Sequence, residues 1–508
     1  MTRRDVMCGA ALATGVATAA PGAIQFRAFD AAGAPAGAAV LNSLLLTDTD
    51  GRAFELLPKV EGPGLVSIPL PDRKFEAMML LPVRGFGQVF LYAGGLAGGE
   101  YLLNYEFARS RAEAVRRYVE SAGVAITKEA LARLERGEAA LKRAASAADI
   151  QAKVGHANDS LAETMWAGEM AVLDRARHTI ARRGPRRGFL FGCNGFRFAG
   201  SAEYGQRFTD LLNYATMGFY RAGIEAAEGR PDYSRVDAIL AKTADTGLLL
   251  KGHPLVWFHR SGIPAFLKTK SFDEIRRSCR DYILRSVGRY RVRIHAWDVI
   301  NEAHDWANDL NLDAQQLLDI TRAASEATRE ADPTAFRVVN SCCTWAEYVA
   351  KRRTYSGPLG RASRTPLDYM RAVEDARIPY EAVGLQVYYP ARDMFEIERH
   401  LERFFTFGKP VHITELGVSS SSEPAQRGDN RFPNRNVWHG EAWNETIQAD
   451  WVEQFYTLCY SKPQIEAITW WDLSDPAFIP HGGMLRPDMT PKESYQRLSA
   501  LLAGWRKE

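Results

Sequence analysis

The sequence predicts a (β/α)8 barrel over residues 186–508, preceded by a small β-sandwich-like domain at 23–105 and a helical connecting region at 106–185. Three observations lead to this reading. Short apolar runs broken by Gly, Pro and Asp fill the first segment, the spacing of an antiparallel β domain. The second turns rich in Ala, Arg, Glu and Leu at helical spacing. In the third, strand-like and amphipathic stretches alternate eight times, which fits a barrel of ordinary size.

Taken in order, Thr2-Arg3-Arg4-Asp5 opens the chain ahead of an apolar, Ala-rich stretch from Cys8 to Ala20, closed by Pro21. A charged start, short apolar middle and small-residue end make a removable export signal over residues 1–22, with a non-cleaved anchor as the competing reading. The Arg3-Arg4 pair is of twin-arginine type, so export to the periplasm or beyond is expected. No later apolar run reaches the roughly 20 residues that span a bilayer. The β domain is marked by Ile24–Phe29, Leu65–Pro69, Met78–Pro82 and Gln88–Tyr92, and serves as a packing unit or a carbohydrate-binding one. Leu131, Leu134 and Leu141, then Met165, Met170, Leu173 and Ile180, stripe two or three helices. The basic run from Arg182 to Arg187 reads as a solvated hinge.

The expected barrel strands are Phe189–Gly192, Asn213–Phe219, Leu248–Val256, His295–Asn301, Phe336–Asn340, Ala382–Val387, Val411–Leu416 and Ala467–Trp471. Helical stretches lie between them at Tyr233–Thr246, Phe272–Val287, Asp313–Ala331, Leu367–Arg377 and Gln448–Cys459. A doubly wound sheet would also alternate, but no Gly-rich phosphate turn follows the first strand.

A formal charge of +3 over 508 residues supplies no argument for nucleic acid or an anionic membrane as partner. Aromatics at 11%, with eleven Trp, suit stacking on sugar rings as well as a large core. Cys8, Cys193, Cys279, Cys342, Cys343 and Cys459 are too scattered for a disulfide framework. None has CxxC or Cys/His metal spacing, so no zinc site is expected. The neighbours Cys342 and Cys343 read as a reduced pair, with joint oxidation the alternative.

In such a barrel, chemistry gathers at the C-terminal ends of the strands. Two strands end in a carboxylate: the fourth, Trp297-Asp298-Val299-Ile300-Asn301-Glu302, and the seventh, His412-Ile413-Thr414-Glu415. Burying a carboxylate costs several kcal/mol without a partner, so apolar strands ordinarily exclude it. Either Glu alone would serve as a helix cap or rim ion pair. Two converging on one mouth suit glycoside hydrolysis, which needs a protonated acid and an ionised nucleophile. Their proximity separates the two pKa values and hence the roles.

At these residues the chain resembles glycoside hydrolase family 10, whose best-known members are endo-β-1,4-xylanases, over about residues 186–506. Gly252-His253-Pro254-Leu255-Val256-Trp257 is similar to GHxLVW, and Trp297 to Ala303 to WDVVNEA. Ala331-Asp332-Pro333, Gly384-Leu385-Gln386, Ile413-Thr414-Glu415-Leu416 and Ile468-Thr469-Trp470-Trp471 with Asp475 follow in the family's order, one motif per strand region. The resemblance implies a TIM barrel and a retaining double displacement, needing no metal or organic cofactor, on a β-1,4-linked polysaccharide or oligosaccharide. It makes Glu302 the acid/base and Glu415 the nucleophile. Asn301 would bond the 2-hydroxyl of the sugar at the cleavage point, His253 and Trp257 would form its floor and wall, Gln386 would orient Glu415, and Trp471 would offer an apolar face. For Trp257 and Trp471 the alternative is core filling, and for His253 a satisfied buried backbone group.

The departures lie further from the chemistry. The family's E-N-x-x-K-W, which grips the sugar beyond the cleavage site, aligns with Thr216-Met217-Gly218-Phe219-Tyr220-Arg221. H-S-Q after Trp257 becomes Phe258-His259-Arg260, N-D-Y-N becomes Asn340-Ser341-Cys342-Cys343, a histidine becomes Tyr388, and an acidic residue becomes Gly417. Tyr388 keeps a donor for Glu415, while Arg260 points to an acidic or decorated substrate or to a rim ion pair. The loop Ser419–Trp443 is long enough to narrow the cleft. Lost hydroxyl partners change preference by orders of magnitude. The expected function is therefore xylanase-like hydrolysis, with another glycoside, or a catalytically silent carbohydrate-binding protein, as the alternatives.

Overall fold

The computed structural model describes residues 22–304, 307–354, 357–360, 363–388, 391–423 and 438–506. The expected export signal lies outside the described residues, Gly22 apart, as do residues 424–437 of the loop after the seventh barrel strand. Among the described residues no helix is long and apolar enough to cross a membrane.

Eight parallel strands close into a barrel in chain order: Leu190–Asn194, Tyr214–Gly218, Leu249–His253, Ala296–Asn301, Phe336–Ser341, Ala382–Tyr388, Val411–Gly417 and Ile465–Trp470. Each overlaps the run expected for it. Strands covered on both faces need near-continuous apolar sequence, and Val411–Gly417 is buried at every position. Helices return the chain between strands, from Ala202–Leu211 to the last at Glu493–Arg506. Local chemistry sets where they begin. Before Ala314–Ala331, Asp313 accepts from the Gln316 backbone N–H at 2.8 Å, and the Gln316 side chain accepts from the Asp313 N–H at 2.9 Å. Gly252 is required by packing, because a Cβ there would lie 2.2 Å from the Trp297 ring.

The N-terminal strands form two sheets. One orders Lys59–Gly62, Leu65–Pro69, Ala23–Arg27 and Glu100–Leu102, and the other Leu45–Thr47, Glu76–Val83 and Gly87–Ala93. All pairs are antiparallel except Ala23–Arg27 with Glu100–Leu102, which is parallel. Ile24, Phe26, Val66, Met79 and Leu91 share one core, so the two sheets face each other across apolar side chains.

The helical region consists of Leu103–Ser121, Lys128–Ser146 and the 34-residue Ile150–Arg183. Its residues enter both cores: Phe107, Leu161 and Met165 pack with the β domain, Val115, Leu134 and Val172 with the barrel. Arg111, 5% exposed, forms an ion pair with fully buried Asp393 at the start of barrel helix Met394–Phe405. The basic run expected as a solvated hinge behaves differently. Arg183 donates to the carbonyls of Tyr460 and Ser461, and Arg186 to those of Tyr460, Lys462 and Pro463. Tyr460 and Ser461 close helix Glu445–Ser461, where the last carbonyls lack helical partners and the helix dipole also favours cations.

Candidate active site

Irregular register aims the polar side chains inward. Between the fourth and fifth strands the pairing skips one residue between Asp298 and Ile300. A bulge changes which residues share a face, so Asp298 and Asn301, three apart, both reach the interior. The seventh strand has matching shifts against both neighbours, and both Thr414 and Glu415 reach polar partners inside. Glu302 follows the fourth strand with φ +57°, a left-handed conformation that non-glycine residues adopt at some cost.

Glu302 and Glu415 are each 6% exposed. Trp257 donates its indole N–H to Glu302 Oε2 at 2.8 Å, and Gln386 donates its amide to Glu302 Oε1 at 2.9 Å. Tyr388 donates its hydroxyl to Glu415 Oε2 at 2.8 Å. Asn301 Oδ1 accepts from Asn340 at 2.7 Å and from Gln386 at 3.3 Å, which turns the Asn301 amide nitrogen away from both. Asn340 also reaches Glu415 Oε1 at 3.4 Å, and its own carbonyl oxygen accepts from Thr414 at 2.5 Å. The two carboxyls are thus tied into one network through Gln386, Asn301 and Asn340.

Under this network lies a buried charge cluster. Asp298 Oδ2 is 2.9 Å from Lys251 Nζ and 2.7 Å from His253 Nδ1. The other ring nitrogen, His253 Nε2, is 3.6 Å from Glu415 Oε1. Burial alone would raise the Asp298 carboxyl, but Lys251 and His253 together hold it below its ordinary range. Burial lowers His253, keeping its ring neutral. Burial raises Glu302, with Gln386 and Trp257 opposing. Burial and then the charge of Glu302 push Glu415 up to about 8, with Tyr388 opposing. Two carboxyls that each resist ionising beside the other hold a proton between them near neutral pH, the state a paired acid and nucleophile start from.

Eight of the nine sequence-selected residues are brought together; the ninth, Arg260, is exposed and forms no ion pair among the described residues. Trp257 meets Glu302 through its N–H, beyond the wall role expected of it. Gln386 departs from expectation: its amide goes to Glu302 and Asn301, not to Glu415. Residues two apart on a strand share a face, and Tyr388 at the mouth takes the Glu415 contact instead. Trp471, 7% exposed, stands edge-on to His253 with ring centres 5.3 Å apart. Lys251 and Asp298 carry no role in the family resemblance, although both lie within or beside its motifs. Cys342, whose thiol bears on Glu302, carried only its departure from the family pattern as a signal. All five described cysteines are free. No group of three metal-ligating side chains occurs among the described residues.

A family model described as glycosyl hydrolase family 10 matches residues 217–480. Endo-1,4-beta-xylanase B of Paenibacillus barcinonensis is 25% identical over 258 residues, covering 48% of this chain and 71% of that protein. The endo-1,4-beta-xylanase/feruloyl esterase of Xylanibacter ruminicola is 24% identical over 280 residues, and the match spans only 36% of its length. Among solved structures, native xylanase10C from Cellvibrio japonicus superposes with a TM-score of 0.50 at 17% identity, over 64% of this chain and 72% of that one. That likeness speaks to fold alone.

Proposed function

This chain belongs to glycosyl hydrolase family 10, and on that premise we propose that it hydrolyses β-1,4-linked polysaccharide or oligosaccharide, xylan-type by family default, with retention at the anomeric carbon. The observation that carries this reading is the hydrogen-bonded pair of buried carboxyls at the ends of the fourth and seventh strands. In the first step Glu415 attacks the anomeric carbon while Glu302 gives its proton to the departing glycosidic oxygen. The products are a glycosyl ester on Glu415 and a free alcohol. In the second, Glu302 takes a proton from water, the water oxygen bonds to the anomeric carbon, and Glu415 leaves as carboxylate.

The surroundings fit these roles. Tyr388 supplies a hydroxyl to the Glu415 oxygen that regains charge in the second step. Asn301, its oxygen held by two amide donors, presents its nitrogen for the 2-hydroxyl contact. His253 and Trp471 lie beside Glu415 as the floor under the sugar ring. The test is reducing-sugar release from xylans, mixed-linkage glucan, mannan and aryl β-glycosides, with NMR of the first-formed anomer. Release of β-product that disappears in Glu415→Gln is expected; first-formed α-product would sink the retaining reading. A second reading keeps the chemistry and changes the sugar. It is favoured by the stretch from Thr216 to Arg221, which lacks the family's charged and amide grips. With the twin-arginine-type residues 1–22, the setting would be extracytoplasmic.

A further inference from the structure

The same side of the cleft that lost its polar grips has gained an aromatic arc. Tyr220, directly after the second strand, stands edge-on to His253 with ring centres 5.6 Å apart and tilted against Trp257 at 5.8 Å. Phe196, after the first strand, stands edge-on to both Tyr220 at 6.1 Å and Trp471 at 5.7 Å. Trp471, Phe196, Tyr220 and Trp257 therefore run as a connected row of rings from the eighth strand round to the third. The Phe196 ring occupies the space a side chain at Gly218 would use, since a Cβ there would lie 3.3 Å from it. Against Phe196 and Tyr220 lies a cavity of about 200 Å³, with Met217, Ile224, Val236 and Ile239 in its walls and charge only from Asp232 and Arg235.

Glu302 faces the departing oxygen from the fourth strand, so the sugar attacked by Glu415 lies on the other side, over His253 and Trp471. A second sugar on that side must continue towards the first and second strands, where the rings stand. Asp472 follows Trp471 at one end of the row of rings. One of its oxygens accepts from Asn194 at 2.9 Å and the other from the Phe478 N–H at 2.7 Å. Each oxygen keeps a lone pair, which suits the outward hydroxyls of a terminal sugar. Its charge also bears on both Tyr220 and Tyr388, placing it beside the site.

Resting on the hydrolytic reading above, we propose that the Trp471–Phe196–Tyr220–Trp257 arc limits the glycone side to one sugar, so that this enzyme removes single sugars from non-reducing ends and does not cut inside chains. The pattern of attack on paired chromogenic substrates decides it: nitrophenyl β-xyloside against nitrophenyl β-xylobioside, with the gluco and manno pairs alongside. With the disaccharide substrate, free monosaccharide and nitrophenyl monoglycoside should appear first, and nitrophenol only after a lag. Intact disaccharide released together with nitrophenol from the start would overturn the proposal. If no pair is hydrolysed the hydrolytic reading fails, and crystals of Glu415→Gln soaked with each disaccharide still test the arc. One ring over His253 and Trp471, with nothing beyond it towards Phe196 and Tyr220, is expected; a second ring against Phe196 and Tyr220, or no sugar bound in any pair, overturns it. Tyr220→Ala, checked for folding by circular dichroism, should acquire intact-disaccharide release, and a folded variant with an unchanged pattern would count against the arc.

Discussion

Glu302 and Glu415, the proposed catalytic pair, show at the level of single residues what burying two carboxyls together costs a protein. One sits in a left-handed backbone conformation, and the other holds a carboxyl that burial and its neighbour make hard to ionise. In the unfolded chain the Glu415 carboxyl titrates near 4.5, whereas in the folded protein burial and Glu302 raise it to about 8, so that the pair together keeps a proton. Between those values the unfolded chain releases a proton that the native state retains, so this group makes stability fall as pH rises, by at most about 1.4 kcal/mol per pH unit. Glu415→Gln should accordingly raise the melting temperature, little below pH 4.5 and most above pH 8. A pH series of thermal melts with no such trend would refute the assignment. Tyr388→Phe removes the donor that favours ionised Glu415. The acidic limb of kcat/KM should then move to higher pH, with a loss of about tenfold to a hundredfold at neutral pH. An unshifted limb would show that the hydroxyl does not tune Glu415.

Neighbouring strands three and four meet through the Lys251–Asp298–His253 cluster, all three side chains at most 2% exposed. Removing one partner from a buried charge group leaves an uncompensated ion, at about 3–5 kcal/mol. Lys251→Met should lower stability by that order in denaturant titration, and less at acid pH, where Asp298 can take a proton. At this scale much was readable in advance. All eight strands were marked by apolar runs, because a strand covered on both faces tolerates little else. The bulge after Asp298 left no mark in the sequence, and it is what brings Asp298 and Asn301 to the same side. Gln386 departs from expectation for a related reason: strand position predicts its neighbour, but not the direction of its amide.

Across the whole molecule, residues 103–183 act less as a connector than as a shared wall, with side chains in both cores. Backbone contact continues beyond them, the Phe90 N–H donating to the Ala391 carbonyl at 2.9 Å. We propose that the N-terminal 23–185 supports the barrel as one folding unit with it. Arg111→Met tests this. It leaves Asp393 buried near Glu169 and Glu396, a carboxyl already raised to about 6 by burial. The whole chain should lose about 3–5 kcal/mol in a single transition, more at pH 8 than at pH 5, where Asp393 is protonated. Separate unfolding of an intact barrel would contradict it.

By itself the sequence determined the (β/α)8 barrel, the β and helical segments before it, and the two glutamates at strand ends. Periodicity follows from burying one face, and a carboxylate closing an apolar strand is too costly to be incidental. Only the tertiary structure decided which donor meets which carboxyl oxygen, that Arg183 and Arg186 cap a helix, and that Phe196 and Tyr220 join Trp471 and Trp257 in one arc. Those contacts bring together residues from different strands, and their geometry depends on bulges and ring orientations that leave no local pattern in the chain.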